Sequence, residues 1–287
     1  MFRSVAPPRP VRTRRMPAVL AAALAAVLAA AAPATAAAPE PEQTERSAPR
    51  LDPAAPHGAW AGYSTGKSAT QSRIPAQIPA GSVAGTDVSG HQGEVDWPAA
   101  VAAGARFAYV KATEGSGFRS DSYRSQYDGA LAAGLVRGAY HFALPDRSSG
   151  AQQANFFVDN GGMWAPDGRT LPGVLDIEHN PYGETCYGLD PAAMSGWLAD
   201  FSNTYHARTG RFPAIYTTAS WWNTCTGGNP DFAANNPLWV ARYAPEIGEL
   251  PAGWNFHSFW QHNDTGPLPG GQDVFNGDLA QLGQFAG

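Results

Sequence analysis

Gly173-Val174-Leu175-Asp176-Ile177-Glu178 is an apolar run broken by two acids. Its length and branched residues read as a buried strand. Side chains alternate faces along a strand, so Asp176 and Glu178 share one face, with Cα atoms roughly 6 to 7 Å apart at twice the rise per residue. Two carboxyls on an otherwise apolar element cost on the order of several kcal/mol unless something pairs or uses them. Hydrolysis of a glycosidic bond uses such a pair: one acid protonates the leaving oxygen and one carboxylate assists attack.

Outward from this stretch, strand-like runs recur at 83–88, 107–111, 137–142, 214–217, 238–241 and 256–261, with a weak eighth near 274–275. Helical patterns fill several gaps. Asp190-Pro191 supplies an N-cap acid and a proline at the first helical position, and Trp197, Phe201 and Tyr205 then recur on one face. Asp121-Ser122 precedes a second helix that ends at Gly134, with Asp121 as its cap, and 97–103 forms a third, closed by Gly104. Strands alternating with helices predict parallel strands joined by right-handed crossovers. The expected fold class is α/β, a single irregular β/α barrel with fewer helices in its second half, where 244–255 is rich in Pro and Gly. An open doubly wound sheet is the alternative, but no glycine-rich phosphate loop supports it.

The folded part is expected over 81–287. Before it, an Arg-rich stretch (9–15), an Ala/Leu/Val run (18–32) and Ala34-Thr35-Ala36 have the layout of a secretory signal peptide ending at residue 36. Residues 37–80 are rich in Ala, Pro, Ser, Gln and Thr and are read as a disordered linker or pro-segment, a regulatory pro-peptide being the sharper alternative. The chain is therefore expected outside the cell, as a monomer that keeps no membrane contact after signal cleavage. Residues 81–287 carry 10 Lys and Arg against 20 Asp and Glu. That acidity excludes a nucleic-acid partner, which needs a basic face. The two cysteines, Cys186 and Cys225, suggest a disulfide in an exported protein. No CxxC or HExxH spacing accompanies them, so no metal or cofactor is expected.

In barrels of this class the site lies at the C-terminal ends of the strands. Asp87 ends the first strand, and Asp176 and Glu178 end the fourth. Glu114 follows the second, as a solvated turn residue or a loop clamp. His141 is read as packing below the site. Sugar rings present apolar CH faces that stack on aromatic rings, so Tyr140, Tyr216, Trp239 and Tyr243, at predicted strand ends, are candidates to line a glycan groove. Trp197 is assigned to the core. Gln261 either reaches the glycan or has a structural role.

The segments Gly85-Thr86-Asp87-Val88-Ser89, Phe107-Ala108-Tyr109-Val110-Lys111-Ala112-Thr113-Glu114-Gly115, Arg137-Gly138-Ala139-Tyr140-His141-Phe142, Leu175-Asp176-Ile177-Glu178 and Trp239-Val240-Ala241 occur in one order. Together with Trp97 they resemble the family 25 glycoside hydrolases, secreted lysozymes of the Chalaropsis type. The resemblance covers about 83–287 and extends to the stretch 216–225 and both cysteines. It implies an irregular β/α barrel that cleaves the β-1,4 bond between N-acetylmuramic acid and N-acetylglucosamine in peptidoglycan, often with O-acetylated muramic acid. By that resemblance Glu178 is the general acid, Asp87 and Asp176 are the carboxylates around it, and Tyr140 lines the site. The family's acid near the last strand has no clean match: Asp273, in Gln272-Asp273-Val274-Phe275-Asn276, falls where Asn is expected, and either substitutes or leaves the role empty. Two other functions are weighed. A family 18 chitinase would carry a further acid two residues before Asp176, where Val174 stands. An inactive glycan-binding barrel would not need Asp87, Asp176 and Glu178 together.

Overall fold

Nine strands form one sheet, and the first two close it on itself. A computed structural model describes residues 57–66 and 77–287. The proposed signal peptide, and residues 37–56 and 67–76 of the expected linker, lie outside the described residues. The described elements begin with a four-residue turn of helix, α1 (Tyr63–Gly66). The strands are β1 (Val83–Val88), β2 (Phe107–Glu114), β3 (Phe118–Arg119), β4 (Val136–Phe142), β5 (Val174–Asp176), β6 (Ala214–Thr217), β7 (Leu238–Ala241), β8 (Phe259–Asn263) and β9 (Gly271–Phe275). The remaining α-helices are α2 (Trp97–Ala102), α3 (Tyr123–Ala132), α4 (Gly150–Phe157), α5 (Pro191–Thr209), α6 (Ala219–Thr226) and α7 (Leu279–Ala286).

Strand order around the barrel is β1-β2-β4-β5-β6-β7-β8-β9 and back to β1, with β3 a short hairpin arm on β2. This closes eight strands and removes the open-sheet alternative. All neighbours from β1 through β8 are parallel except the β3 arm, whereas β9 runs antiparallel to both β8 and β1. The antiparallel last strand follows from connection length. Only residues 264–270 link β8 to β9, a turn, whereas a parallel partner needs a crossover of a dozen or more residues. The expected thinning of helices in the second half is present: no α-helix lies between β7 and β9.

Alternation along the strands sorts side chains into two layers. Val174, Ala214, Tyr216, Trp239 and Phe259 pack inside the barrel with Phe107 and Tyr109. Leu175, Ile177, Ile215, Leu238 and Val240 face outward, onto Phe157, Leu198, Phe201 and Tyr205 from α4 and α5. Asp190 caps α5 by accepting from Ala193 N at 2.8 Å, Pro191 fills the first turn, and Trp197, Phe201 and Tyr205 are buried on one face, as the pattern predicts. Asp121 is not a cap. Ser122 holds the N-cap position of α3 in helical geometry, without a side-chain bond, and Asp121 is exposed.

Several boundaries differ from expectation, and β2 runs on to Glu114 rather than ending at 111. β5 ends at Asp176, so Glu178 lies two residues beyond it, although Ile177 N still donates to Tyr216 O at 3.0 Å. β8 starts at Phe259 rather than 256, and the weak eighth run is a five-residue strand. α1, α4, α6 and α7 were not expected.

Cys186 and Cys225 form a disulfide with Cα atoms 5.3 Å apart, tying the loop after β5 to α6 across 39 residues of sequence. Closing a loop of that length removes about 4 kcal/mol of chain entropy from the unfolded state. The double variant Cys186→Ser/Cys225→Ser is therefore expected to lose about 4 kcal/mol, near ten degrees of Tm for a domain of this size. An unchanged calorimetric transition would contradict this.

Candidate active site

The site is built at one end of the barrel by inward side chains that follow the last apolar layer. On β5 the inward series is Val174, Asp176 and then Glu178, with Asp176 and Glu178 both fully buried. On β1 the corresponding residue is Asp87, which is 3% exposed. Asp87 and Asp176 each interact with Glu178, and Asp176 interacts with Asp87. Burial pushes the Asp87 carboxyl up to about 7, opposed by the hydrogen bonds it accepts. Burial first, and the neighbouring Glu178 next, hold Asp176 well above the ordinary carboxyl range. Burial also raises Glu178.

Each acid has a different environment. Asp87 Oδ2 accepts from Gln261 Nε2 at 2.7 Å. It lies against Gly271, whose missing side chain makes room: a Cβ there would stand 1.7 Å from Asp87 Oδ2. Gln261 Oε1 accepts from Tyr216 OH at 2.6 Å and Tyr243 OH at 2.9 Å, so three strand ends fix the orientation of one amide. Gln261 thus positions Asp87. Asp273 is buried on β9 and interacts with Asp87, and its Oδ1 accepts from Trp239 Nε1 at 3.1 Å. Two facing carboxyls in an apolar setting cannot both be charged cheaply, and burial followed by the Asp87 charge pushes Asp273 well up. Asp176 is the exception: neither of its carboxyl oxygens has a hydrogen-bond partner among the described residues.

The aromatic candidates divide. Tyr140, Tyr216 and Tyr243 point hydroxyls at the site, and Trp239, as fully buried as Tyr140 and Tyr216, is stacked on Tyr109 at 4.9 Å with Tyr216 edge-on at 5.0 Å. Its indole N–H is the group that holds Asp273. Trp239 opens the ladder with β8, two residues before Ala241 pairs with Gln261, and is in register with Tyr216 on β6. His141 is buried outside the barrel wall, bonded to Thr113 Oγ1 at 2.7 Å and Gln153 Oε1 at 2.9 Å, and burial lowers its pKa to about 4. It is a neutral structural group.

Glu114 is neither exposed nor in a turn. It ends β2, fully buried, in an ion pair with Lys111, and accepts from Tyr182 OH at 2.6 Å. Lys111 is itself 2% exposed, and burial lowers its pKa. This cation beside Asp176 and Glu178 was not singled out from sequence; the signal was a lysine inside the apolar run 107–112.

Sequence reading also missed the segment 57–66, inside the expected linker, which is seated on the site. Gly62 N donates to Glu178 Oε1 at 2.8 Å and Ser64 N to Glu178 Oε2 at 3.1 Å, with Ser64 Oγ also bonded to Glu178 Oε2. Lys111 Nζ donates to Ala59 O at 2.6 Å, and Gln261 Nε2 to Ala61 O at 3.2 Å. Trp60 and Tyr63 are the first Trp and Tyr of the chain, a signal of buried structure in an otherwise Ala- and Pro-rich stretch.

A β/α barrel with buried, mutually interacting carboxyls at one mouth has the parts that glycoside hydrolysis uses. The glycosyl hydrolases family 25 model matches residues 86–271, and the chain belongs to that family. It is 49% identical over 205 residues to lysozyme M1 of Streptomyces globisporus, covering 70% of each chain. It is 48% identical over 206 residues to an N,O-diacetylmuramidase of Arthroderma benhamiae, covering 72% of this chain and 87% of that one. Among solved structures, a muramidase from Acremonium alcalophilum is 53% identical with a TM-score of 0.70, over 71% of this chain and 98% of that one.

Proposed function

We infer that this chain is a lysozyme that hydrolyses the β-1,4 bond between N-acetylmuramic acid and N-acetylglucosamine in bacterial peptidoglycan. Glu178 is the general acid, and Asp87 and Asp176 assist it. The observation that carries the reading is the gathering of these three buried carboxyls, from β1, from the end of β5 and from the loop just past it, at one mouth. Burial raises the Glu178 carboxyl, which favours the protonated form that can give its proton to the leaving oxygen. Asp176, with both oxygens unpartnered, is placed to accept from a substrate N–H, such as that of an acetamido group, or to stabilise positive charge developing on the sugar ring. Gln261 holds Asp87 while Tyr216 and Tyr243 hold Gln261. Tyr140 lines the site.

The family membership and the names of relatives support the substrate class. Secretion is part of the proposal, because a cell-wall substrate lies outside the membrane; no described helix is long and apolar enough to cross one. Digestion of purified walls, followed by identification of the new reducing end, tests the bond cleaved. Muramic acid there supports the reading, and N-acetylglucosamine refutes it.

A pH dependence follows from Asp87. Its folded pKa, about 7, lies above the unfolded value near 4. The folded protein therefore binds the proton more tightly, and the stability this group contributes is full below pH 4 and lost as pH rises toward 7. Wild-type Tm is expected to fall between pH 5 and 7.5, and Asp87→Asn to flatten that slope. A slope unchanged by the substitution would show that Asp87 does not titrate there.

A further inference from the structure

We propose that residues 57–66 are a built-in occupant of the catalytic cleft and hold the enzyme latent until they withdraw. The inference rests on the reading of Glu178 as the acid that meets the glycosidic oxygen.

The segment is seated as a ligand would be. Ala59, Ala61 and Tyr63 are at most 2% exposed, a degree of burial foreign to a solvated linker. Both oxygens of Glu178 accept from the segment, Oε1 from Gly62 N and Oε2 from Ser64 N and Oγ, so the segment stands where a sugar oxygen would have to approach the carboxyl. These donors oppose the rise that burial gives the Glu178 carboxyl and so work against its protonated, acid form. The segment's carbonyls occupy Lys111 and Gln261, the polar groups on either side. The space left above Asp87, partly walled by Trp60 and Ala61, is a cavity of about 150 Å³. Sites for small organic ligands run roughly 300–1,000 Å³, so a glycan strand does not enter while the segment is present. The family match starts at residue 86, so the segment lies outside the matched region.

Gly62 makes the fit possible. Its φ is +87°, and a Cβ would stand 2.5 Å from Tyr243 OH and 2.6 Å from Gln261 Oε1. A side chain there conflicts both with the backbone and with the site. The segment is tethered to the barrel, so it competes at an effective concentration on the order of millimolar. Removing a few contacts therefore shifts occupancy without any change in the barrel.

Release of reducing ends from purified walls, by the full chain, tests this. Gly62→Val is expected to work at least tenfold faster than the unaltered chain, and Ser64→Ala severalfold faster. If Gly62→Val does not fold, Ser64→Ala decides, since it removes one hydroxyl from the segment. Rates no higher than the unaltered chain's in the folded variants overturn the proposal. Combining Gly62→Val with Glu178→Gln separates the two readings. Loss of the released activity supports both. Its survival leaves latency standing and removes Glu178 as the acid.

Discussion

Glu178→Gln is expected to lower turnover on bacterial walls by a factor of about 10³ or more, within the range that general acid catalysis supplies. The amide keeps the size of the carboxyl but has no proton to give at that pH. The fold should survive, because residue 178 lies past the end of β5 and its backbone neighbour Ile177, not its side chain, continues the ladder to β6. The amide also places a donor where the carboxylate accepted from Gly62 N or Ser64 N, so the hold on residues 57–66 should weaken. The expected signature is lost activity, a Tm within a few degrees of wild type, and faster amide exchange at Gly62 and Ser64. Full activity in the folded variant would end the assignment.

Lys111→Met is expected to cost about 3–5 kcal/mol, the usual penalty for leaving one member of a buried ion pair alone. Lys111 and Glu114 are both nearly or fully inaccessible, so water cannot replace the lost cation. The Tyr182 hydroxyl and the His57 ring, 3.7 Å away and lowered in pKa by burial, do not neutralise the remaining charge. The double variant Lys111→Met/Glu114→Leu should recover much of the loss, because two apolar groups carry no desolvation penalty. Thermal unfolding of the three proteins checks this. A Lys111→Met protein as stable as wild type would mean that Glu114 is not held as a buried anion.

Much of this was legible in sequence because the barrel's periodicity is strong. The runs 83–88, 214–217 and 238–241 match their strands residue for residue, since each is bounded by turn or cap residues and fully or nearly fully buried. The acid pair stood out because carboxyls interrupt an apolar run. Its setting was harder to read: strand pattern alone did not show that regular pairing stops at Asp176 and leaves Glu178 on the following loop. The antiparallel β9 was hidden because five residues containing Gly, Gln and Asp carry little hydrophobic signal, and their burial comes from pairing on both sides. Residues 57–66 were hidden for another reason: their composition is that of a linker, and their order comes from a cleft built by residues more than 100 positions away, such as Glu178 and Gln261. Local propensity carries no trace of such a contact.

The most direct test of the account is the structure of the Glu178→Gln protein with a bound fragment of alternating N-acetylglucosamine and N-acetylmuramic acid. The account predicts that the glycan lies over Asp87 and Asp176, that the oxygen of the bond to be cut is within hydrogen-bond reach of residue 178, and that residues 57–66 have left the cleft. A glycan bound elsewhere on the barrel, with residues 57–66 still bonded at position 178, would contradict it.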